Sequence, residues 1–293
     1  MVDRSLGRRI FLNLNGLLFI LFSLACLIPM LHVLAISFSK SSAVTAGEVT
    51  FWPVQFSLKS YEYILSNSEF WTAMFVSVKR VFLGVAISMF LTVLAAYPLS
   101  KSQANFKHQS FFAWYFVVTM LFSGGLIPTF MIVKNTHLYG TIWSLVIPGA
   151  ISVFNVLLLS NFFRNIPKDI EESAYMDGAG HFRILGTLYL ALSMPIIATL
   201  IVFSAVGHWN AWFDGLIYLK SQKDYPLQSY LQTILVESNS RLLTKAQAQL
   251  MNKVSNRTIQ ASQVFIASLP ILLVYPFMQK YFVSGMMVGA VKE

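Results

Sequence analysis

The chain has 293 residues, of which 56% are hydrophobic and only 11% are charged, with a formal net charge of +9. Soluble domains carry roughly 25% charged residues, so this composition excludes an ordinary soluble protein and predicts an integral membrane protein. The basic residues lie scattered at the ends of apolar runs, as membrane topology requires, which argues against a nucleic-acid-binding surface.

Six apolar runs approach the ~20 residues needed to cross a bilayer, so we predict an all-α membrane protein with six transmembrane helices. Their predicted ranges are 15–37, 81–99, 111–133, 141–162, 188–213 and 262–282. The first run resembles a signal peptide as far as Cys26, but its apolar stretch continues beyond the cysteine. We therefore expect this run to remain as a span.

An even number of spans places both termini on the same side of the membrane. Basic residues are concentrated in the short segments before the first span, after the second and between the fourth and fifth. The positive-inside rule puts these segments in the cytoplasm. The predicted organisation is a cytoplasmic N-terminus (1–14), a transmembrane domain (15–283) with a cytoplasmic loop at 163–187, and a cytoplasmic C-terminal tail (284–293).

Two external segments are large enough to form lids or docking surfaces, although interfacial packing explains them equally well. They cover residues 39–79 and 220–257, and the second contains a predicted short helix at 240–256. Lys79 and Arg80 fall at the outer edge of the second predicted span. We interpret both as anchors that extend toward the membrane surface, with a solute site as the alternative.

The third predicted span contains the sequence FSGGLIP, in which Gly124, Gly125 and Pro128 all weaken a helix. A kink beside a transport path and close helix packing through small residues are both compatible with this pattern.

Two glutamates, an aspartate, a glycine pair, a histidine and an arginine interrupt the apolar runs in IEESAYMDGAGHFRILGTLYLALSMP, residues 170–195. Pro167 fits the first turn of a helix, and Asp169, Glu171 and Glu172 complement the positive end of its dipole. Gly178 and Gly180 then break or bend the helix. The pattern predicts a short helix on the cytoplasmic surface, joined through a glycine bend to the fifth span.

This segment resembles the cytoplasmic coupling motif of bacterial ABC importer permeases, the EAA motif, which is E-A-A, three residues, then G. Glu172, Ser173, Ala174 and Gly178 match that spacing, with serine in place of the first alanine. The DGAG sequence that begins at Asp177 matches the form found in sugar importers. Ala191 stands where that motif has a proline, whereas Pro195 matches.

Further sequences extend the resemblance over nearly the whole chain. They are FSGGLIP (122–128), NFFRNIP (161–167), WNAWFDGLIYL (209–219), YPLQSYLQTIL (225–235) and GMMVGAVKE (285–293). Together they resemble the carbohydrate-uptake permeases of the maltose-importer type, in the subgroup that serves complex oligo- and polysaccharides, alginate among them.

The resemblance implies a type I importer permease in the bacterial inner membrane. It implies a second, homologous permease as partner, a dimer of ATP-binding subunits that holds ATP and magnesium, and an external solute-binding protein that delivers an oligosaccharide. This chain would itself hold no cofactor. The residues implied to couple it to the ATP-binding subunit are Glu171, Glu172, Ser173, Ala174, Asp177 and Gly178, with Gly289 and Lys292 of the C-terminal tail.

Sugars are held by stacking on aromatic faces and by planar polar groups, and the sequence around the outer end of the fifth span offers both. The candidates for the solute path are Asn155, Trp209, Asn210, Trp212, Asp214 and Tyr218. The aromatic residues fit an interfacial belt equally well, and Asn155 also fits a hydrogen bond to a neighbouring helix. If the sugar is a uronate, its carboxylates need cationic partners, for which Lys79 and Arg80 are candidates.

The chain contains no phosphate-binding loop of the G-x-x-x-x-G-K-[ST] form and no hydrolase or zinc motif, so we predict that it is not an enzyme. Its histidines lack a cluster of companions, so we predict no metal site. The alternative function is an ion-coupled secondary sugar transporter, which would carry acidic residues within its spans. Asp214 is nearly the only acidic residue within or at the edge of the predicted spans. A membrane-embedded glycosyltransferase would need paired carboxylates, and only those of the coupling segment cluster.

Overall fold

A computed structural model describes residues 6–239 and 256–290 of the chain as an almost entirely helical structure. The helices are α1 (Leu6–Ser37), α2 (Ser41–Thr45), α3 (Lys59–Ser66), α4 (Ser68–Ser100), α5 (Gln109–Leu121), α6 (Leu126–Asn135), α7 (Trp143–Val146), α8 (Val153–Arg164), α9 (Lys168–Met176), α10 (His181–Ile184), α11 (Leu190–Leu192), α12 (Met194–Asn210), α13 (Phe213–Tyr218), α14 (Leu227–Asn239) and α15 (Asn256–Ala290). A π-helical turn at Leu185–Tyr189 joins α10 to α11, and a 3₁₀ turn occupies Gln222–Asp224.

The chain forms two compact units. One comprises Met1–Phe70 with Leu231–Leu269, and the other comprises Trp71–Tyr230 with Pro270–Glu293. The core of the second unit is built where α4, α8, α10 and α12 meet. Its buried residues include Ala96, Leu159, Phe163, Ile184 and Leu200. This core supports the segment that carries the coupling motif.

Three helices of the described residues are long and apolar enough to cross a membrane: Ile10–Ser37 within α1, Ser68–Ser100, and Arg257–Val274 within α15. They correspond to the first, second and sixth predicted spans. The second is much longer than predicted, because α4 begins at Ser68, upstream of Lys79 and Arg80, instead of near Arg80.

The third and fifth predicted spans are each broken. The helix axis bends by 113° between α5 and α6. It bends by 84° between the helix of His181–Leu192 and α12. The first break follows from Gly125, whose φ of +85° lies in the region that favours glycine. A Cβ added at Gly125 would meet nothing within 4 Å, so close packing within the chain does not explain this glycine. Counting each bent pair as one, the described residues hold up to five spans.

The predicted fourth span at 141–162 is wrong as one continuous helix. Helix α7 ends at Val146, and α8 begins only at Val153, after Pro148 and Gly149. At 1.5 Å per residue, the 12 residues of α8 extend about 18 Å, well short of the ~30 Å hydrocarbon core. The side chain of Ser152 caps α8 by accepting a hydrogen bond from the Asn155 N–H. The six-span count is therefore not confirmed.

Two predictions fall wholly or mostly outside the described residues. The short helix predicted at 240–256 is one of them, except for its last residue, and Lys292 is the other. Gly289 lies in the last turn of α15. The boundaries predicted for the N-terminal and C-terminal segments stay predictions.

Candidate functional site: the coupling segment and the membrane cavity

The coupling segment forms the predicted short helix. Helix α9 runs from Lys168 to Met176, with Asp169 and Glu171 in its first turn. Pro167 lies directly before the helix, in an extended conformation, and not within the first turn as predicted. A proline there needs no N–H partner and allows α9 to begin immediately after it.

Gly178 ends the helix by a specific hydrogen-bond pattern. Its N–H bonds to the carbonyl of Tyr175 at 2.9 Å, and the N–H of Ala179 bonds to the carbonyl of Ala174 at 3.0 Å. These two bonds define a Schellman motif, in which the residue after the C-cap takes a left-handed conformation. Gly178 has a φ of +75°, which explains why the motif has glycine at this position. The predicted helix break is confirmed here.

Glu171 points into the protein. Its side chain is 11% exposed and forms an ion pair with Lys101, the first residue after α4. The Tyr189 hydroxyl donates to Oε2 of Glu171 at 2.7 Å, and the Tyr175 hydroxyl donates to Oε1 at 3.0 Å. Glu171 was predicted to be a contact for the ATP-binding subunit. Its carboxylate is already engaged, so this chain uses Glu171 to hold α9 against α4 and the π-helical turn.

The ammonium of Lys101 lies against two tyrosine rings, and burial lowers the pKa of this lysine. Its ammonium lies 4.1 Å from the ring centroid of Tyr97 and 4.2 Å from that of Tyr189, and it donates to the Tyr189 hydroxyl at 2.9 Å. Burial raises the pKa of Glu171, but hydrogen bonds from Lys101, Tyr189 and Tyr175 outweigh burial and hold that pKa below its ordinary value. Glu171 is therefore ionised at neutral pH.

A histidine extends the network. Nδ1 of His181 lies 2.9 Å from the Tyr175 hydroxyl and 3.3 Å from the Tyr97 hydroxyl. Ala174 and Ala179 pack against the core beside these polar contacts. The network and the apolar contacts together hold α9 against α4 and α10. We call Lys101, Glu171, Tyr189, Tyr175 and His181 the anchor network.

The opposite face of the segment is open. Glu172, Ser173 and Asp177 are exposed, as expected for residues that meet a partner. Two large apolar side chains that the motif did not single out flank the glycine turn: Met176 is 88% exposed and Phe182 is 84% exposed. Large apolar residues in an otherwise polar loop were the signal that could have identified them.

A second buried ion pair lies within the second compact unit. Arg80 of α4, which is 2% exposed, forms a bidentate pair with Asp214 of α13. Its Nη1 also donates to the carbonyl of Ala211, at the end of α12, at 3.0 Å. Arg80 was predicted to be a surface anchor, and this is wrong, because the side chain is buried and joins α4 to the α12–α13 turn. Lys79 is exposed.

A cavity of about 580 Å³ lies beside this ion pair. The predicted path residues Asn155, Asp214 and Tyr218 line it, together with Arg80 and His208. Asn155 is buried, and among the described residues its side chain forms no hydrogen bond to another helix. The structure therefore gathers one acidic, one basic and several neutral polar groups around a single cavity.

The remaining path candidates do not line this cavity. Trp209 is buried, Asn210 is exposed, and Trp212 is 40% exposed and packs edge-on against Phe213. His208 was not among the predicted path residues. Gly84 of α4 accommodates it, since a Cβ at this position would overlap the imidazole ring.

The helical architecture and the coupling segment are those of a type I importer permease, the membrane-embedded part of a transport system. A family model described as the inner membrane component of binding-protein-dependent transport systems matches residues 86–288, so the chain belongs to that family.

Two curated relatives from Bacillus subtilis (strain 168) cover most of the chain. The polygalacturonan/rhamnogalacturonan transport system permease protein YtcP is 38% identical over 273 residues, which is 93% of this chain and 95% of YtcP. Protein LplC is 37% identical over 268 residues, which is 91% of this chain and 89% of LplC.

Two solved structures share the fold. One is a bacterial ABC transporter involved in the import of the acidic polysaccharide alginate, with 30% identity, a TM-score of 0.88, and coverage of 96% of this chain and all of that chain. The other is an alginate ABC transporter in complex with an alginate pentasaccharide-bound periplasmic protein. Its TM-score is 0.58 at 12% identity, so it supports the fold alone.

Proposed function

We propose that this chain is one permease subunit of an ATP-driven importer that moves an acidic oligo- or polysaccharide across the bacterial inner membrane. The observation that carries the proposal is the coupling segment, in which a rigidly anchored helix presents an open face. Relatives at 38% and 30% identity serve polygalacturonan/rhamnogalacturonan and alginate. All of these are acidic saccharides, so we extend a uronate-containing solute to this chain.

The partners follow from the same proposal. A second, homologous permease completes the membrane path, and two ATP-binding subunits hold ATP and magnesium on the cytoplasmic side. An external solute-binding protein delivers the saccharide. Both termini of this chain lie in the cytoplasm, which agrees with the basic residues of the short loops.

The contact with the ATP-binding subunit is proposed to centre on Met176 and Phe182, with Glu172, Ser173 and Asp177 around them. Two exposed apolar side chains on either side of the glycine turn suit an apolar cleft, and a polar rim around an apolar centre is the usual anatomy of a protein interface. Motion of the ATP-binding subunit would then reach α4 through the anchor network.

The cavity beside Arg80 and Asp214 is the proposed stretch of the solute path in this subunit. Its polar lining suits saccharide hydroxyls, and its volume lies within the ~300–1,000 Å³ of small-ligand sites. Ion-coupled transport is disfavoured, because the acidic residue that such a mechanism needs is already neutralised by Arg80.

The experiment is saccharide uptake and ATP hydrolysis in proteoliposomes that contain this chain with its co-purified subunits and binding protein. Oligogalacturonate and oligoalginate are compared with neutral oligosaccharides of equal length. We expect ATP-dependent uptake of the acidic class. Uptake that follows an ion gradient without ATP would refute the proposal.

A glycine pair supplies a matched test of the coupling segment. Gly178→Ala forces a Cβ into a left-handed residue at a cost of about 1–2 kcal/mol. Gly180→Ala, two residues away, has an ordinary φ of −78° and open space at its Cβ. We expect the first variant to lose transport-coupled ATP hydrolysis and the second to retain it. Equal loss in both variants would contradict the role of the turn.

A further inference from the structure

A separate polar cavity of about 420 Å³ lies in the compact unit formed by Met1–Phe70 and Leu231–Leu269. Its lining residues are Ser39, Lys40, Ser41, Gln55, Phe56, Ser57, Lys59, Ser60 and Thr258. We call it the serine–lysine pocket. None of these residues belongs to the coupling segment or to the cavity beside Arg80, so the proposed path does not account for it.

The backbone around the pocket is held in a fixed shape. Ser39 and Phe56 form an antiparallel bridge, and the Ser57 N–H donates to the carbonyl of Phe38 at 2.9 Å. The Ser39 hydroxyl donates to the carbonyl of Ala35 at 2.6 Å and accepts from the Val54 N–H at 3.0 Å. A pocket whose walls are tied by such bonds is formed before any ligand arrives.

Among the described residues, no acidic group compensates the charge of the pocket. Lys40 and Lys59 are exposed, and neither forms an ion pair within the described residues. No aspartate or glutamate is among the lining residues. Two ammonium groups next to serine hydroxyls and an amide favour an anionic ligand that also carries hydroxyl groups.

Phe56 adds an apolar face. Its side chain is 68% exposed, and its ring stacks on Phe38 with centroids 5.6 Å apart and planes 10° apart. This stacking fixes the orientation of the ring and leaves most of it accessible. A fixed aromatic face beside cations and hydroxyls suits a sugar ring that bears a carboxylate.

We propose that the serine–lysine pocket binds a uronate unit of an acidic saccharide, at a site separate from the cavity beside Arg80. The competing occupant is an acidic side chain of the solute-binding protein. The volume favours the saccharide, because it falls within the range of small-ligand sites and far exceeds what one carboxylate needs. The inference rests on the proposed function for the class of solute.

The test uses the assembled transporter in nanodiscs of neutral lipid without its solute-binding protein. Binding of trigalacturonate is measured by calorimetry against a neutral trisaccharide. The test variant combines Lys40→Met with Lys59→Met. The control combines Lys134→Met with Lys223→Met, two exposed lysines that do not line the pocket.

We expect the wild type and the control to bind trigalacturonate in preference to the neutral sugar. The test variant should bind it at least about tenfold more weakly, since each charge-assisted hydrogen bond lost is worth about that factor. Unchanged trigalacturonate binding in the test variant would overturn the inference. A second titration adds the solute-binding protein to the same nanodiscs. If the test variant keeps its affinity for trigalacturonate but binds that protein more weakly than the control does, the inference is overturned and the pocket is assigned to an acidic side chain of that partner.

Uptake by the complete wild-type system separates this inference from the proposed function. If ATP-driven uptake of acidic saccharides occurs but the pocket binds none, only the inference fails. If the wild type takes up no acidic saccharide, the proposed function fails whatever the pocket binds.

Discussion

Neutralising Glu171 should release the coupling helix from the membrane helices without unfolding the protein. The Glu171→Gln variant keeps the size of the side chain but removes the charge that Lys101 faces. Lys101 is then left buried beside two aromatic rings without a counter-ion. Lys101→Met and the double variant complete a thermodynamic cycle.

The magnitude follows from the burial of the pair. The two side chains are 7% and 11% exposed, so solvent screens them weakly. Removing one partner of a buried pair costs about 3–5 kcal/mol, because the other charge remains uncompensated, whereas replacing both partners is often nearly neutral. We therefore expect each single variant to be clearly destabilised and the double variant to recover much of the loss. The coupling energy should exceed about 1 kcal/mol, as for residues in direct contact.

The assays are denaturant unfolding of the purified complex in detergent and ATP-driven uptake in proteoliposomes. We expect the single variants to hydrolyse ATP with reduced uptake per ATP, since α9 then moves without carrying α4. Glu172→Gln is the matched control, because Glu172 is adjacent and exposed. If Glu172→Gln lowers stability as much as Glu171→Gln, or if the single and double variants lose equal stability, the anchoring role is wrong.

Further predictions concern the membrane pair, its neighbour and pH. Arg80→Met should destabilise the fold by about 3–5 kcal/mol, and adding Asp214→Leu should restore part of that stability in the same unfolding assay. If the single and the double variant are equally destabilised, the pairing is refuted. Gly84→Ala should cost about 1–3 kcal/mol by overlap with the His208 ring, and His208→Ala in the same chain should relieve it. The pKa of Glu171 lies below its ordinary value of 4.5, so its stabilisation is complete above that pH and lost as pH falls through the lower folded-state pKa. Unfolding measured below pH 4.5 should therefore depend more steeply on pH in the wild type than in Glu171→Gln.

Phe182→Ser should weaken co-purification of the ATP-binding subunit without changing unfolding, because the side chain is 84% exposed and contributes little to the fold. Trp52→Ser is the control of similar exposure on a different segment. Retention of the ATP-binding subunit by the Phe182 variant would contradict the proposed interface.

The sequence alone determined the class of protein and the position of the coupling helix. Apolar runs near 20 residues long have few structural solutions in a membrane, so composition and length were sufficient for the class. Gly178 was also predictable as a helix terminator, since a left-handed turn after a short helix is a local requirement that glycine meets best. The motif spacing then predicted which surface lies outside the membrane.

Only the tertiary structure decided which way the charged residues point and where the spans break. Glu171 and Glu172 are adjacent in sequence, yet one is buried and the other exposed, because Lys101 lies 70 positions away along the chain and close in space. Arg80 lies 134 positions from Asp214, and that pairing accounts for a buried guanidinium in the middle of α4. The period of a helix shows which residues share a face. It does not show which distant element that face will meet, and this contact determines whether a charge is neutralised inside the protein or left for a partner.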